Sequence, residues 1–340
     1  MDRQIVLGLS GGMDSAYAAI QLLNAGYDVT AVYALMHDSC DGTEEARTLA
    51  QALNIKFITV DKRESFEESV ILPFVSDYVS GRTPNPCVRC NPIVKFKALL
   101  EVADRLGIEK IATGHYAKPC LYNGRYCFAP SADKSKDQCY FLYGLGQEAI
   151  RRVLMPLADV LKSDIKEYFA NNNGYNFKGG ESTDICFAAE GYRNIIASHA
   201  ALPPEGDFVD LEGRVLGRHK GLHNYTVGQR KGLGIALGKP AFVKALDAQN
   251  NRVVLSFAED FISATFRVKD INCMAVPTVN VGDRFDVKVR YRAVAVKCTV
   301  ADITDGVFTV SFDTAQKPPA TGQSAVFYID DLVAFGGIIC

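Results

Sequence analysis

The sequence predicts an α/β chain: a Rossmann-like parallel sheet in the N-terminal half, then a β-rich half of small β domains or a barrel. Three observations predict it. An apolar run, Ile5-Val6-Leu7-Gly8, opens through a glycine-rich turn directly into a helical pattern, as a buried strand feeding a helix does. Strand and helix patterns then alternate as far as Ala112, which implies parallel strands with helices on both faces. Beyond about residue 200 the texture changes to short alternating apolar runs separated by turn signals, the pattern of small antiparallel β units.

The elements follow in order. The first strand ends in Gly8-Leu9-Ser10-Gly11-Gly12-Met13-Asp14-Ser15, and a helix carries Ala16, Ala18, Ala19, Leu22 and Leu23 to a stop at Gly26. Residues 29–35 read as a strand. Residues 43–53 read as a helix opened by Thr43 with Glu44 and Glu45 in its first turn, where acids complement the dipole. A strand at 55–60 precedes a helical stretch at 64–80 interrupted at Pro73. The segment Gly81-Arg82-Thr83-Pro84-Asn85-Pro86-Cys87 is too proline-rich to be regular. A helix over about 92–106 stops at Gly107, and 110–112 begins a strand. Residues 137–170 read as two helical pieces broken at Met155-Pro156, with turns at 171–174 and at Gly179-Gly180. Pro203-Pro204-Glu205-Gly206 reads as a linker. Strands are expected at 242–246, 252–256, 285–291, 307–312 and 325–329, with turns at Asp305-Gly306 and Lys317-Pro318-Pro319.

The chain of 340 residues has room for two or three domains. No apolar run approaches the roughly 20 residues of a membrane helix, so no membrane partner is expected. Met1-Asp2-Arg3-Gln4 leads straight into a strand without a signal-peptide pattern, and a cytoplasmic location is the expectation. The ten cysteines are scattered, unlike a secreted disulfide framework. Cys87-x-x-Cys90 is their close pair, a candidate for redox chemistry or metal binding. A net charge of −2 does not announce a nucleic-acid binder. Two local basic runs stand out: Arg214, Arg218, Lys220, Arg230 and Lys231, and then Arg284, Lys288, Arg290, Arg292 and Lys297. Either they follow a phosphate backbone or they are a solvated surface.

The first turn has the physics of a phosphate site. Its glycines let backbone N–H groups close around an anion, and a helix N-terminus adds its positive end. It lacks the Gly-Lys-Ser/Thr ending of a Walker loop and the G-x-G-x-x-G spacing of a dinucleotide fold. It resembles the PP-loop of ATP pyrophosphatases, which cleave ATP to AMP and pyrophosphate and adenylate a substrate oxygen. Four further segments carry chemistry. Gly81 to Asn91 presents two cysteines just before a helix, where the dipole and Arg89 would lower a thiol pKa. Thr113-Gly114-His115-Tyr116-Ala117 lies at a strand's carboxyl end, with Gly114 allowing close approach of an adenylate. Ser182-Thr183-Asp184-Ile185-Cys186-Phe187 places another cysteine in a turn-rich stretch. Asn224 to Ile235, glycine-rich and basic, suits an RNA-touching loop or a β-turn.

These segments, in this order and over nearly the whole chain, resemble the bacterial tRNA-specific 2-thiouridylases in a Cys-x-x-Cys variant. Lys136-Asp137-Gln138-x-Tyr140-Phe141-Leu142, Tyr225-Thr226-Val227-Gly228-Gln229-Arg230-Lys231-Gly232-Leu233-Gly234-Ile235 and Thr321-Gly322-Gln323-Ser324-Ala325-Val326-Phe327-Tyr328 carry the likeness. The resemblance implies a PP-loop catalytic domain over 1–200, a small central β-rich domain over 201–262 and a C-terminal β-barrel with tRNA contacts over 263–340. It implies an ATP-dependent sulfurtransferase that adenylates C2 of the wobble uridine and replaces the oxygen with sulfur. ATP and Mg2+ would be its cofactors. Its partners would be tRNA and a sulfur donor protein or sulfide source.

By the same resemblance, Gly8, Leu9, Ser10, Gly11, Gly12, Met13, Asp14 and Ser15 cradle ATP, with Asp14 acting through Mg2+, Met36 against the nucleotide by its backbone and Gly114 under the adenylate. Cys186 matches the persulfide carrier, and Cys90 the cysteine that releases its sulfur through a transient disulfide. Asn85, Pro86 and Cys87 match the turn facing the target base. His115, Lys136, Asp137, Gln138, Arg290, Tyr291 and Gln323 match tRNA contacts. Many members have aspartate, a general acid/base, where this chain has Cys87. The departure opens an alternative in which Cys87, Cys90 and Cys186 hold a [4Fe-4S] cluster with one open iron, or zinc at the same ligands. Cys139 stands for a usual serine, and the stretch around Met36 lacks a usual tryptophan. Cys40, Cys120, Cys127, Cys139, Cys273, Cys298 and Cys340 are expected in packing roles. Two other readings stand beside this one. The first is a different ATP pyrophosphatase acting on another tRNA base or a small molecule. The second is a non-catalytic RNA-binding iron–sulfur scaffold.

Overall fold

A computed structural model describes residues 3–172, 185–188 and 191–340. Its N-terminal part alternates as expected: β1 (Gln4–Gly8), α1 (Met13–Asn24), β2 (Asp28–Leu35), α2 (Thr43–Ala52), β3 (Lys56–Asp61), α3 (Arg63–Phe66), α4 (Leu72–Val79), α5 (Pro86–Cys90), α6 (Phe96–Leu106) and β4 (Lys110–Ala112). A hairpin follows, β5 (Lys118–Tyr122) and β6 (Arg125–Ala129), then α7 (Gln147–Arg152), β7 (Val153–Leu154), α8 (Lys162–Asn171) and α9 (Tyr192–His199). Five parallel strands form one sheet in the order β3-β2-β1-β4-β7. Ile5, Val6 and Leu7 on β1 have no exposed surface, as a strand covered on both faces demands. Chain order reverses on either side of β1, so the crevice beyond the carboxyl ends of β1 and β4 is where an open α/β sheet takes a ligand.

Several local expectations are corrected. The helical stretch is not broken at Pro73. A π-turn, Glu67–Ile71, joins α3 to α4, and Pro73 lies in the first turn of α4, where a missing N–H is tolerated. The cysteine pair does not precede a helix but lies inside one, since α5 starts at Pro86 and runs through a second π-turn, Asn91–Lys95, into α6. Residues 137–170 are less helical than expected, because Gly144, Gly146 and Pro156 leave only a 3-10 turn at Cys139–Phe141, α7 and α8. The β5–β6 hairpin was signalled by Asn123-Gly124, whose φ values of 47° and 78° suit a two-residue turn of the primed kind. The expected turns at 173–174 and Gly179-Gly180, and Ser182, Thr183 and Asp184, lie outside the described residues.

The second half is β throughout. β8 (Gly206–Val209), β9 (Val215–His219), β10 (Phe242–Asp247) and β11 (Arg252–Ser256) form a sheet in the order β10-β11-β8-β9. β12 (Ser263–Cys273), β13 (Arg284–Lys288), β14 (Val296–Thr304), β15 (Val307–Gln316), β16 (Ser324–Ile329) and β17 (Leu332–Ile339) close into a barrel. This is the α/β plan with a small central unit and a C-terminal barrel.

The barrel is fused to the N-terminal part rather than tethered to it. Met274, Ala275, Val326, Tyr328 and Val333 share one buried cluster with Val6, Phe96, Phe128 and Tyr140. Tyr140 OH donates to Ser324 O at 2.8 Å, Asn272 Nδ2 to Tyr143 O at 2.6 Å, and Arg125 Nε to Met274 O at 2.7 Å. No described helix is long and apolar enough to cross a membrane.

Candidate active site

The turn after β1 is braced by its own side chains. Ser15 Oγ receives Ser10 N at 3.1 Å, donates to Gly12 O at 2.9 Å and lies 3.1 Å from Ser10 Oγ. Gly11 has φ +78°, and a Cβ there would come within 2.9 Å of Glu45 Cβ and 3.0 Å of Ala46 N. Glycine is therefore required both by conformation and by the close approach of α2. Leu9 is buried, with its N–H donated to Val32 O at 2.9 Å, while Ser10 and Gly12 are exposed. Gly114, at the end of β4, backs onto the same loop: a Cβ there would lie 3.1 Å from Ser15 N and 3.2 Å from Asp14 O. Its lack of a side chain lets β4 and α1 approach.

Asp14 has two partners that sequence reasoning did not identify. Lys162 Nζ and Tyr116 OH both reach its Oδ1 at 2.6 Å. Lys162 is 7% exposed, and a buried ammonium needs such a partner. A signal was present: Lys162 opens α8, where a cation opposes the helix dipole unless something else demands it. Asp133 ties this start in place by accepting from Lys162 N at 3.1 Å and from Ser135 Oγ at 2.6 Å. These hydrogen bonds hold the Asp133 carboxyl below the usual range. Lys134, Lys136, Lys162 and Lys166 line a cavity of about 560 Å³ beside Asp133, a cationic space adjoining the phosphate loop.

The thiols lie on α5 and on the turn at 185–188. Asn85 Oδ1 caps α5 by accepting from Cys87 N at 3.2 Å, and Pro86 is buried in its first turn. Cys87 is half-buried, Cys90 is buried and Cys186 is exposed. The expectation of lowered thiol pKa values is overturned. Burial pushes Cys87 up and pushes Cys90 up to about 12, against the opposing pull of Lys95, with Cys186 raising both further. Desolvation outweighs the helix dipole here. An apolar cluster holds Cys90 with Phe66, Val70, Phe74, Tyr78 and Phe187. Cys90 Sγ lies 3.8 Å from Met36 Sδ, so the side chain of Met36 meets a thiol. Among the described residues, no three His, Cys, Asp or Glu side chains are grouped so as to hold a metal ion.

The remaining predicted residues are spread along the seam between the three parts. His115 packs against Phe96, with its Nδ1 2.9 Å from Thr113 Oγ1, and burial and Lys95 push its pKa down to about 3. It is a neutral imidazole and lends no charge to a phosphate. Gln138 is locked to Tyr116 by two bonds, N to Tyr116 O at 2.8 Å and Oε1 from Tyr116 N at 3.0 Å. Asp137 Oδ1 accepts from Ser131 N, and its carbonyl accepts from Tyr291 OH at 3.0 Å. Arg290 donates to Val227 O at 2.8 Å, and Gln323 Nε2 to Thr83 O at 2.7 Å. Both side chains thus hold neighbouring loops in register. Of the basic runs, Arg214, Arg218, Arg284 and Lys297 are paired with carboxylates. Arg230, Lys231 and Arg292 are exposed and form no ion pair among the described residues.

Comparison with known proteins agrees with this architecture part by part. Residues 3–190 match the tRNA methyl transferase HUP domain, 193–256 the tRNA methyl transferase PRC-barrel domain, and 263–339 the aminomethyltransferase beta-barrel domain. The chain is 40% identical to the tRNA-specific 2-thiouridylase MnmA of Clostridium perfringens, covering 99% of this chain and 98% of that one. It is 39% identical to MnmA of Clostridium acetobutylicum over the full length of both. Its identity to MnmA of Clostridioides difficile is 38%, over 100% of this chain and 98% of that one.

Proposed function

The chain belongs to the tRNA-specific 2-thiouridylase family, and from that membership we propose how its own residues divide the reaction. The protein is an ATP-dependent sulfurtransferase that makes 2-thiouridine in tRNA. The braced loop from Gly8 to Ser15, with Met36 and Gly114, binds ATP and presents its α-phosphorus to the C2 oxygen of the wobble uridine. Mg2+ would be held at Asp14 and would offset phosphate charge. Lys162 adds a fixed positive charge on the side where pyrophosphate departs. Adenylation turns a poor leaving group into a good one.

The sulfur step uses the thiols. A persulfide donor loads Cys186 as Cys186–S–SH. The Cys90 thiol attacks Cys186 Sγ and passes its proton to the outer sulfur, the Sγ–S bond breaks, and that sulfur departs with the bonding electrons as hydrogen sulfide, which ionises to hydrosulfide, as the Cys90–Cys186 disulfide forms. Hydrosulfide adds at C2, the C2–O bond breaks to release AMP, and the proton ends on N3. A dithiol reductant resets the two cysteines. The target base must leave its stack to reach this crevice, near Asn85, Pro86 and Cys87. His115, Lys136, Asp137, Gln138, Arg290, Tyr291 and Gln323 line the route of the tRNA. Unit boundaries at 200/201 and 262/263 and a cytoplasmic location complete the reading.

The observation that carries this reading is the 3.8 Å approach of Cys90 Sγ to Sδ of Met36, the residue that follows β2, parallel neighbour of the strand that feeds the phosphate loop. The [4Fe-4S] alternative has its three thiols in one electrostatic neighbourhood, but they do not form a ligating group here, and no step is assigned to a cluster. Nucleoside mass spectrometry of tRNA incubated with the protein, ATP and a persulfide donor tests the function. The expected product is 2-thiouridine, with tRNA-stimulated ATP–pyrophosphate exchange. Exchange without any thiolated nucleoside would reject it.

A further inference from the structure

We propose that Phe187 is the positioning residue that seats Cys186 beside Cys90, acting as an aromatic anchor in a socket made by Phe66 and Phe74. The inference rests on the assignment of Cys186 and Cys90 to sulfur transfer and adds the device that brings them together. Residues 185–188 form a turn closed by Ala188 N donating to Ile185 O at 3.0 Å. Cys186 and Phe187 are its two corners and differ in burial. Cys186 is exposed, whereas Phe187 is only 3% exposed.

An aromatic ring buried from an irregular segment is tied to what it touches. The Phe187 ring meets Phe66 edge-on at 5.5 Å and Phe74 edge-on at 5.2 Å, with His37 tilted at 6.5 Å. Edge-to-face packing of this kind is orientation-specific. Phe74 also packs against Tyr78, and Cys90 belongs to the same buried cluster. The wall that grips Phe187 is therefore continuous with the helix bearing Cys90. One corner of the turn is fixed to that wall, and the neighbouring corner carries the Cys186 thiol within electrostatic range of Cys90. Met36, which follows β2, packs against the same cluster and reaches Cys90 Sγ at 3.8 Å.

The test separates positioning from nucleotide chemistry. In Phe187→Ala, thiolation at saturating ATP and tRNA should fall by about tenfold to a hundredfold, the scale of a misplaced reacting group. The loss should lie in kcat rather than KM, with pyrophosphate exchange within about twofold of wild type. After loading with a small-molecule persulfide donor, formation of the Cys90–Cys186 disulfide should slow in parallel. Phe187→Leu, which refills much of the socket, should recover most of the rate. Phe74→Leu, which loosens the socket from its other side, should reproduce part of the defect and serves if Phe187→Ala does not fold. Wild-type disulfide formation in Phe187→Ala or Phe74→Leu, or equal losses in exchange and thiolation, would overturn the anchor. A wild-type protein that makes no 2-thiouridine, or a Cys186→Ser variant that still does, would instead reject the underlying assignment.

Discussion

Lys162 and Asp14, 148 residues apart, meet at 2.6 Å with the ammonium almost wholly withdrawn from solvent. The pair joins the start of α8 to the start of α1 and places a fixed cation at the phosphate loop. Substituting Lys162 by Met keeps the stem and removes the charge. ATP–pyrophosphate exchange should then drop about a hundredfold, the usual scale for losing one preorganised electrostatic group. Lys162→Arg should not restore it, because a planar fork does not fit a site shaped for a compact ammonium. Exchange near the wild-type rate in Lys162→Met would refute the assignment.

Gly11 offers a second test. Alanine there meets both a left-handed φ and the α2 backbone. Strain of about 1–2 kcal/mol is expected from conformation alone, deforming the loop where phosphate must sit. Calorimetry should report ATP affinity weakened by about tenfold or more, while the same change at Gly107, which meets nothing within 4 Å, should leave ATP affinity at its wild-type value.

Thiol reactivity should rank by exposure. Of Cys87, Cys90 and Cys186, iodoacetamide should modify Cys186 first and Cys90 last in the free protein. With its pKa pushed up to about 12, Cys90 is overwhelmingly thiol at neutral pH. Its alkylation rate should climb about tenfold per pH unit from 7 to 10 without a plateau. A plateau below pH 9, read by mass spectrometry of the Cys90 peptide, would show that burial does not govern this thiol.

His115 should make the fold acid-sensitive. Its pKa in the folded chain is about 3, below the ordinary 6.5. As pH falls below about 6.5 the unfolded chain takes the proton first. The stability that burial of the neutral ring supplies is therefore present above 6.5 and is withdrawn progressively as pH falls toward 3. Urea midpoints measured from pH 7 to 4 should fall more steeply for wild type than for His115→Gln, and the imidazole NMR shifts should stay constant from pH 8 to 5. A titration near 6.5 would contradict its burial.

Much of the N-terminal sheet and the phosphate loop was legible because their signals are local: an apolar strand, a glycine turn and helical spacing lie side by side. The thiol environment was not. Cys87 and Cys90 look like activated thiols when only their helix is considered, yet burial raises both, and Cys90 is desolvated among Phe66, Phe74 and Phe187, distant in sequence. Lys162 was missed for the same reason, since its partner lies 148 residues earlier. Arg290 and Gln323 were reached only through the family resemblance, as matches to tRNA contacts, and their bonds to Val227 and Thr83 depend on how three units close on one another. In the barrel, β12 and β14 escaped notice because charged residues interrupt their alternation, and β17 because it is a near-continuous apolar run interrupted by Gly336 and Gly337.

The shared cluster that buries Tyr140 and Phe128 against Met274 and Val326 makes the catalytic half incomplete by itself. A fragment ending at residue 200 would leave those rings facing water and would strand the hydroxyl of Tyr140 without Ser324. Such a fragment should aggregate on expression, whereas co-expressed halves should recover solubility by docking. Gene fusions or minimal versions of this enzyme must therefore retain the terminal barrel even when only the nucleotide chemistry is wanted.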